Sequence, residues 1–225
     1  MHKYILTHKE MDPVEGYEII DNRENKELDH RIWSELAGMQ LIYNKLIDEK
    51  IDDNEFISLN HYRRKIDPDC INRFYVPEPI RFNTTLAMQY AGAHNIEDLK
   101  LCGAALKEEF PNLAPAFEGT MNGNIFVPYI IAVMTVGQFK DYWNFLYKVL
   151  SNFNKKLGTE TFEQRVDYIK RYADKYTGEG KDNKVEYQAR IESFLAERLA
   201  TTYFVICGQR MPVFPASIIK TDGAW

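Results

Sequence analysis

The stretch Phe56 to Ile66, FISLNHYRRKI, runs apolar until it meets a histidine, a tyrosine and two arginines. Arg63 and Arg64 at a strand end would present planar guanidinium forks suited to a diphosphate, with His61 as a further donor or general acid. A diphosphate that departs as a bond breaks needs such positive charge. Read alone, the same residues also fit a solvated strand end with a satisfied buried histidine. A second group lies in YQARIESFLAERL, where Arg190 and Glu197 are seven residues apart, two helical turns along one side. A carboxylate held there beside a cleft could take a proton from a hydroxyl, although a salt bridge or solvated face is the plainer use. His94 and Asp98 stand at i and i+4, within reach of one helical face, but a metal would need a third ligand, so a cap or hydrogen-bonded pair is favoured. Asp67-Pro68-Asp69 has the Asp-any-Asp form that can hold a divalent cation bridging a diphosphate. The chain has no GxGxxG, Walker loop, GxSxG or HExxH, which argues against dinucleotide, NTP-hydrolysing, serine-hydrolase and zinc-protease chemistry.

The elements that must position these residues alternate. Lys3–Thr7 reads as a first strand ending at His8 and Lys9, with a short second strand at Tyr17–Ile20. Helical spacing runs from Leu28 to Lys50 on one apolar face, and Phe56–Leu59 follows as a strand after the turn at Asp52–Asn54. Helical patterns at Thr85–Ala93 and Ile96–Phe110 suggest inserted helices. Met121–Thr135 suggests one or two strands with Pro128 at an edge or break. Val136–Leu157, Glu163–Tyr176 and Tyr187–Tyr203 read as helices, with a loop at Thr177–Lys184 and short strands in the tail. The order is an α/β layout with helices flanking a sheet, whose ligands sit at the carboxyl ends of strands. That rule sends Thr7, His8 and Lys9 to the same crevice as His61, Arg63 and Arg64.

A chain of 225 residues suits one full-sized core, with 45% hydrophobic and 27% charged residues typical of a soluble domain. The net charge of −5 offers no general basic footprint for nucleic acid. Cys70, Cys102 and Cys207 are too few and too scattered for a disulfide framework or zinc site. Neither the four-residue apolar stretch near the N-terminus nor Ile125–Val136 is long enough for a signal-peptide core or membrane span, so a cytoplasmic location is expected.

Seven segments in order, ILTHK (5–9), SELAGMQLIYNKL (34–46), FISLNHYRR (56–64), QYAGAHNIEDL (89–99), FPNLAPAFE (110–118), GNIFV (123–127) and YQARIESFLAERL (187–199), resemble a bacterial glycosyltransferase family of capsular and exopolysaccharide gene clusters. That family is catalogued as a domain of unknown function. The resemblance implies a glycosyltransferase-A-like central mixed sheet flanked by helices, with residues 1–66 binding a nucleotide sugar and 67–225 forming the acceptor side. Some members look like galactofuranosyltransferases, so a UDP-sugar donor, plausibly a furanose, and a glycan hydroxyl acceptor are implied. By the same resemblance Thr7, His8, Lys9, Glu35, Arg63 and Arg64 would bind the donor. His94, Asp98, Asn124 and Arg190 would face sugar or acceptor, and Glu197 and His61 would be catalytic. Two departures stand out: the segment after the first strand is short, and Lys65 replaces the aromatic that commonly follows HYRR. Asp67 and Asp69 lie just past the family motif, so Mn or Mg at those carboxylates and a metal-independent reaction both stay open. Two rival readings remain: transfer to hydroxymethylcytosine in DNA, which would call for Arg63, Arg64, Lys65, Arg73 and Arg81 in one basic groove, and a non-catalytic nucleotide-sugar or glycan binder.

Overall fold

A computed structural model describes residues 1–66, 72–171 and 184–221. Strand β1 (His2–Thr7) and β2 (Glu18–Asp21) are followed by α1 (His30–Trp33), α2 (Glu35–Asp48), β3 (Phe56–His61) and β4 (Arg64–Ile66). Then come β5 (Tyr75–Pro77), β6 (Ile80–Arg81), α3 (Leu86–Ala93), α4 (Ile96–Glu109), α5 (Ala114–Asn122), β7 (Ile125–Phe126) and β8 (Ala132–Thr135). The chain continues through α6 (Val136–Leu157), α7 (Phe162–Lys170), α8 (Val185–Gln188) and α9 (Ile191–Gly208) to β9 (Phe214–Ala216) and β10 (Ile218–Lys220).

The sheet is mixed and built around β3, which is buried along almost its whole length. On one edge β3 pairs in parallel with β1, Leu6 opposite His61. On the other it pairs antiparallel first with β8, Leu59 opposite Ala132, and then with β4, His61 opposite Arg64. Asn60 sits at the point where β3 changes partner. Fully buried, it donates to the Tyr4 carbonyl at 3.1 Å and accepts from the Ile66 N–H at 3.0 Å, so its side chain supplies a partner to a backbone group on each side of the fork. Strands from 1–66 and from 67–225 thus share one sheet, with β10 on β4 and β9 on β5.

Helices cover the sheet because their apolar faces need it. In α6, Phe139, Trp143, Leu146, Val149, Leu150 and Phe153 form a buried stripe at helical spacing. A capping box between Thr135 and Gln138 starts that helix, and Gly158 ends it at φ 68°. Helix α2 lies close on β1: a Cβ at Gly38 would overlap Asn22 and come within 2.7 Å of Leu6.

Three expectations change. The long first helix is two, because Ser34 takes φ 51° and turns the chain between α1 and α2. The last helix starts at Ile191 rather than Tyr187 and runs on to Gly208, with α8 a separate turn and Arg190 outside helical geometry. His94 and Asp98 do not share a helix. His94 ends α3, and Asn95 caps α4 by accepting from the Glu97 N–H. In addition, α5 forms where none was expected. The expected strands in Met121–Thr135 are β7 and β8, with Pro128 between them. Among the described residues no helix is long and apolar enough to cross a membrane.

Candidate active site

The two helix breaks meet. Arg190 donates from Nη2 to Ser34 Oγ at 2.6 Å and lies 3.6 Å from Glu35 Oε2. Apolar periodicity runs straight through both breaks, so only the fold shows them to be one feature. Glu35 in turn receives a hydrogen bond from His61, Nε2 to Oε1 at 3.1 Å. The Arg63 N–H donates to His61 Nδ1 at 3.1 Å, which makes Nδ1 an acceptor and puts the imidazole proton on Nε2, toward Glu35. Burial alone would raise the Glu35 carboxyl. The His61 hydrogen bond and the Arg190 charge overcome it and hold the group well below the usual carboxylate range.

The turn between β3 and β4 consists of Tyr62 and Arg63 alone, neither with positive φ. Two-residue hairpin turns normally rely on glycine or asparagine, so this one needs outside support. It receives it from Tyr62 N–H to the Leu6 carbonyl at 3.0 Å, from Thr221 N–H to the Arg63 carbonyl at 3.1 Å, and from Thr221 Oγ to the Tyr62 carbonyl at 2.8 Å. The Tyr62 ring carries Lys9 at 4.6 Å and Arg63 at 5.0 Å, with His8 edge-on at 5.0 Å. Burial lowers the His8 imidazole below its ordinary value. Thr7 is buried, and its hydroxyl closes a local turn with the Lys9 backbone.

Beyond this turn opens a cleft of about 460 Å³, in the range of about 300–1,000 Å³ common for small-molecule sites. Four guanidinium groups, from Arg63, Arg64, Arg190 and Arg198, line it against two carboxylates, Glu35 and Glu197. Arg63 and Arg64 make no ion pair among the described residues; Arg64 lies 4.0 Å over the Tyr129 ring. Glu197 accepts from the Tyr129 N–H at 3.1 Å and lies 3.2 Å from Arg198 Nη1. Burial raises its carboxyl above the ordinary glutamate value, against the Arg198 charge and the Tyr129 hydrogen bond. Arg198 itself is buried and tied to Gln89 and the Phe194 carbonyl. His94 lines the far wall, stacked on Phe194 at 4.0 Å and hydrogen-bonded through Nδ1 to Gln188 at 2.8 Å. Burial pushes its imidazole down to about 4, so it is neutral at physiological pH.

The fold therefore gathers His61, Arg63, Arg64, Glu35, His94, Arg190 and Glu197 at one cleft. Thr7, His8 and Lys9 lie behind the Tyr62 turn rather than among the lining residues. Asp98 is elsewhere, buried under α7 with the Tyr168 hydroxyl at 2.5 Å. Asn124 clasps the antiparallel β6–β7 pair, giving its side-chain N–H to the Phe82 carbonyl at 3.1 Å. Asp67 and Asp69 lie outside the described residues. Among those that are described, no group of three or more His, Cys, Asp or Glu could hold a metal ion. Sequence reasoning missed Arg198 and Tyr129. Arg198 had a signal, since a charged residue four after Phe194 and three after Leu195 falls on the buried stripe and must find partners there. A larger cavity of about 640 Å³ between α3, α4 and α5 is mainly apolar, with Lys100, Lys107 and Glu118 as its charged lining residues.

Residues 68–179, just under half of the chain, match a family described as a domain of unknown function, DUF4422. The chain is also similar to a solved structure, the apo form of the WbbM bifunctional glycosyltransferase, with a TM-score of 0.67. The two proteins share a fold. At 12% identity the likeness covers 97% of this chain but 45% of that protein, so this chain spans less than half of its length. No curated protein matches the chain. The four cleft arginines all fall outside the segment matched by the family.

Proposed function

We propose that this protein transfers a sugar from a nucleotide diphosphate donor, a UDP-sugar such as a UDP-furanose, to a hydroxyl of a glycan. One observation carries the reading: Arg63 and Arg64, in no ion pair with a described carboxylate, face a cleft at the carboxyl ends of parallel strands, with the half-buried Glu197 carboxylate in its wall. In an inverting displacement Glu197 takes the acceptor's proton, the acceptor oxygen bonds to the anomeric carbon, and the bond to the diphosphate breaks. The charge that develops on the diphosphate falls to Arg63 and Arg64. A base whose carboxyl is raised by burial suits proton removal near neutral pH. His61 has both ring nitrogens engaged, so in this reading it positions the Tyr62–Arg63 turn and hands no proton to the leaving group. A divalent cation, if Asp67 and Asp69 hold one, would share the diphosphate charge.

The DNA reading needed a basic groove of five side chains. Only Arg63 and Arg64 line the cleft; Lys65 lies over Tyr17, Arg73 over Phe214, and Arg81 reaches Asn124. A glycan acceptor is therefore preferred. Thermal-shift and calorimetric panels of UDP, GDP, CDP, TDP and UDP-sugars, each with and without manganese, test the donor site. One nucleotide should stabilise the wild type, and Arg63→Ala and Arg64→Ala should each weaken it by about tenfold or more. Wild-type protein indifferent to every nucleotide would sink the reading.

A further inference from the structure

Tyr129 follows Pro128 in the short link between β7 and β8, and it has φ 66°. A tyrosine in the left-handed region is uncommon, because its Cβ crowds the backbone. Such a conformation persists where the surroundings over-determine it, and here they do. Before it, the Val127 N–H donates to Thr201 Oγ at 3.2 Å, and that hydroxyl also lies 3.2 Å from the Val127 carbonyl. After it, the Ile130 carbonyl faces the Tyr142 hydroxyl at 3.5 Å. The link is pinned on α9 and α6, and the residue between the pins is turned so that its amide meets Glu197 at 3.1 Å while its ring lies 4.0 Å under Arg64.

We propose that Tyr129 is a positioning residue that sets the Glu197 carboxylate with its backbone amide and the Arg64 guanidinium with its ring, fixing the two in one arrangement across the cleft. The roles of those two groups rest on the transferase reading; the coupling through Tyr129 does not. Glu197 is faced by the Tyr129 amide, by Arg198 on its own helix, by Glu35 from α2, by Arg64 from β4 and by the Tyr142 phenol from α6. Of these, the amide is the contact that depends on the left-handed conformation. An N–H donated to a carboxylate favours its charged form, so losing it must move the Glu197 titration upward.

The test separates amide from ring. Glutamate side-chain carboxyls are labelled with carbon-13, the Glu197 signal is assigned with Glu197→Gln, and its midpoint is followed by NMR. Pyrophosphate affinity is measured by calorimetry on the same samples. Tyr129→Asn tolerates positive φ and keeps the amide but has no ring, so the midpoint should hold while pyrophosphate binding weakens about three- to tenfold. Tyr129→Val rejects positive φ and loses both, so the midpoint should also rise by about one pH unit. Tyr129→Phe should restore both readouts. If the valine variant fails to fold, Thr201→Val loosens the same link and should raise the midpoint. Tyr129→Asn that binds pyrophosphate as tightly as wild type, or a folded valine or Thr201 variant with an unmoved midpoint, overturns the inference. Should the wild type bind no pyrophosphate, the donor-site reading falls and the Glu197 midpoints alone judge Tyr129.

Discussion

Glu35 has two opposed pressures on its proton: burial favours the neutral acid, while the His61 N–H and the Arg190 guanidinium favour the carboxylate and prevail. A carboxyl whose folded value lies below its unfolded one contributes stability above the ordinary glutamate value near 4.5, and that contribution is lost as pH falls through and below it. Replacing Glu35 by Gln should therefore cost about 1–3 kcal/mol at pH 7, because the Arg190 charge loses its partner. The difference between variant and wild type should shrink as pH approaches 3. Denaturant unfolding at pH 7, 5 and 3 would check this, and a gap that stayed constant with pH would show that the charge is not what matters.

Helix α7 is fastened to its neighbours by buried polar groups as well as by its apolar face of Phe162, Val166 and Ile169. Arg165 and Glu192, both fully buried, form a two-pronged pair at 2.8 and 3.1 Å that joins α7 to α9. Tyr168 joins α7 to α4 by donating to Asp98 and accepting from Asn95 at 3.1 Å. Burial pushes the Asp98 carboxyl up to about 6 despite the Tyr168 hydrogen bond. Its folded value is above its unfolded one, so the folded state holds this proton more tightly and stability falls as pH rises from about 4 through 6. The sign is opposite to that of Glu35. Asp98→Asn, which keeps an acceptor for Tyr168, should raise stability at pH 7 by about 1–3 kcal/mol and change little at pH 4. Melting curves at the two pH values would decide it.

The molecule as a whole is acidic, at −5, while its cleft carries four guanidinium groups against two carboxylates. Long-range attraction for an anionic ligand is weak, and the binding charge acts at short range inside a cleft that salt screens poorly. Nucleotide affinity should then weaken by less than about tenfold between about 50 and 500 mM salt. Duplex DNA, which demands many phosphate contacts, should not be retained at about 150 mM salt. Calorimetry with the stabilising nucleotide and a gel-shift experiment with DNA would measure both. Steep salt dependence together with DNA retention would return the acceptor question to nucleic acid.

The sequence by itself determined the alternation of strands and helices, the buried stripes of α6 and α9, and the cationic end of β3, because apolar periodicity and clustered charge are local properties of a chain. It also brought forward His61, Arg63, Arg64 and Glu197, whose types stand out where they occur. Tertiary structure alone decided that the chain breaks at Ser34 and at Arg190 and that the two breaks join, since neither break interrupts the apolar pattern and the bond between them spans 156 positions. It decided as well that Asp98 and Asn124 serve packing and the pairing of β6 with β7, because a polar side chain's partner is set by what the fold brings near it. Tyr129 is the clearest case: no local rule marks a tyrosine for positive φ, and only the pins from α9 and α6 turn its amide to Glu197 and its ring to Arg64.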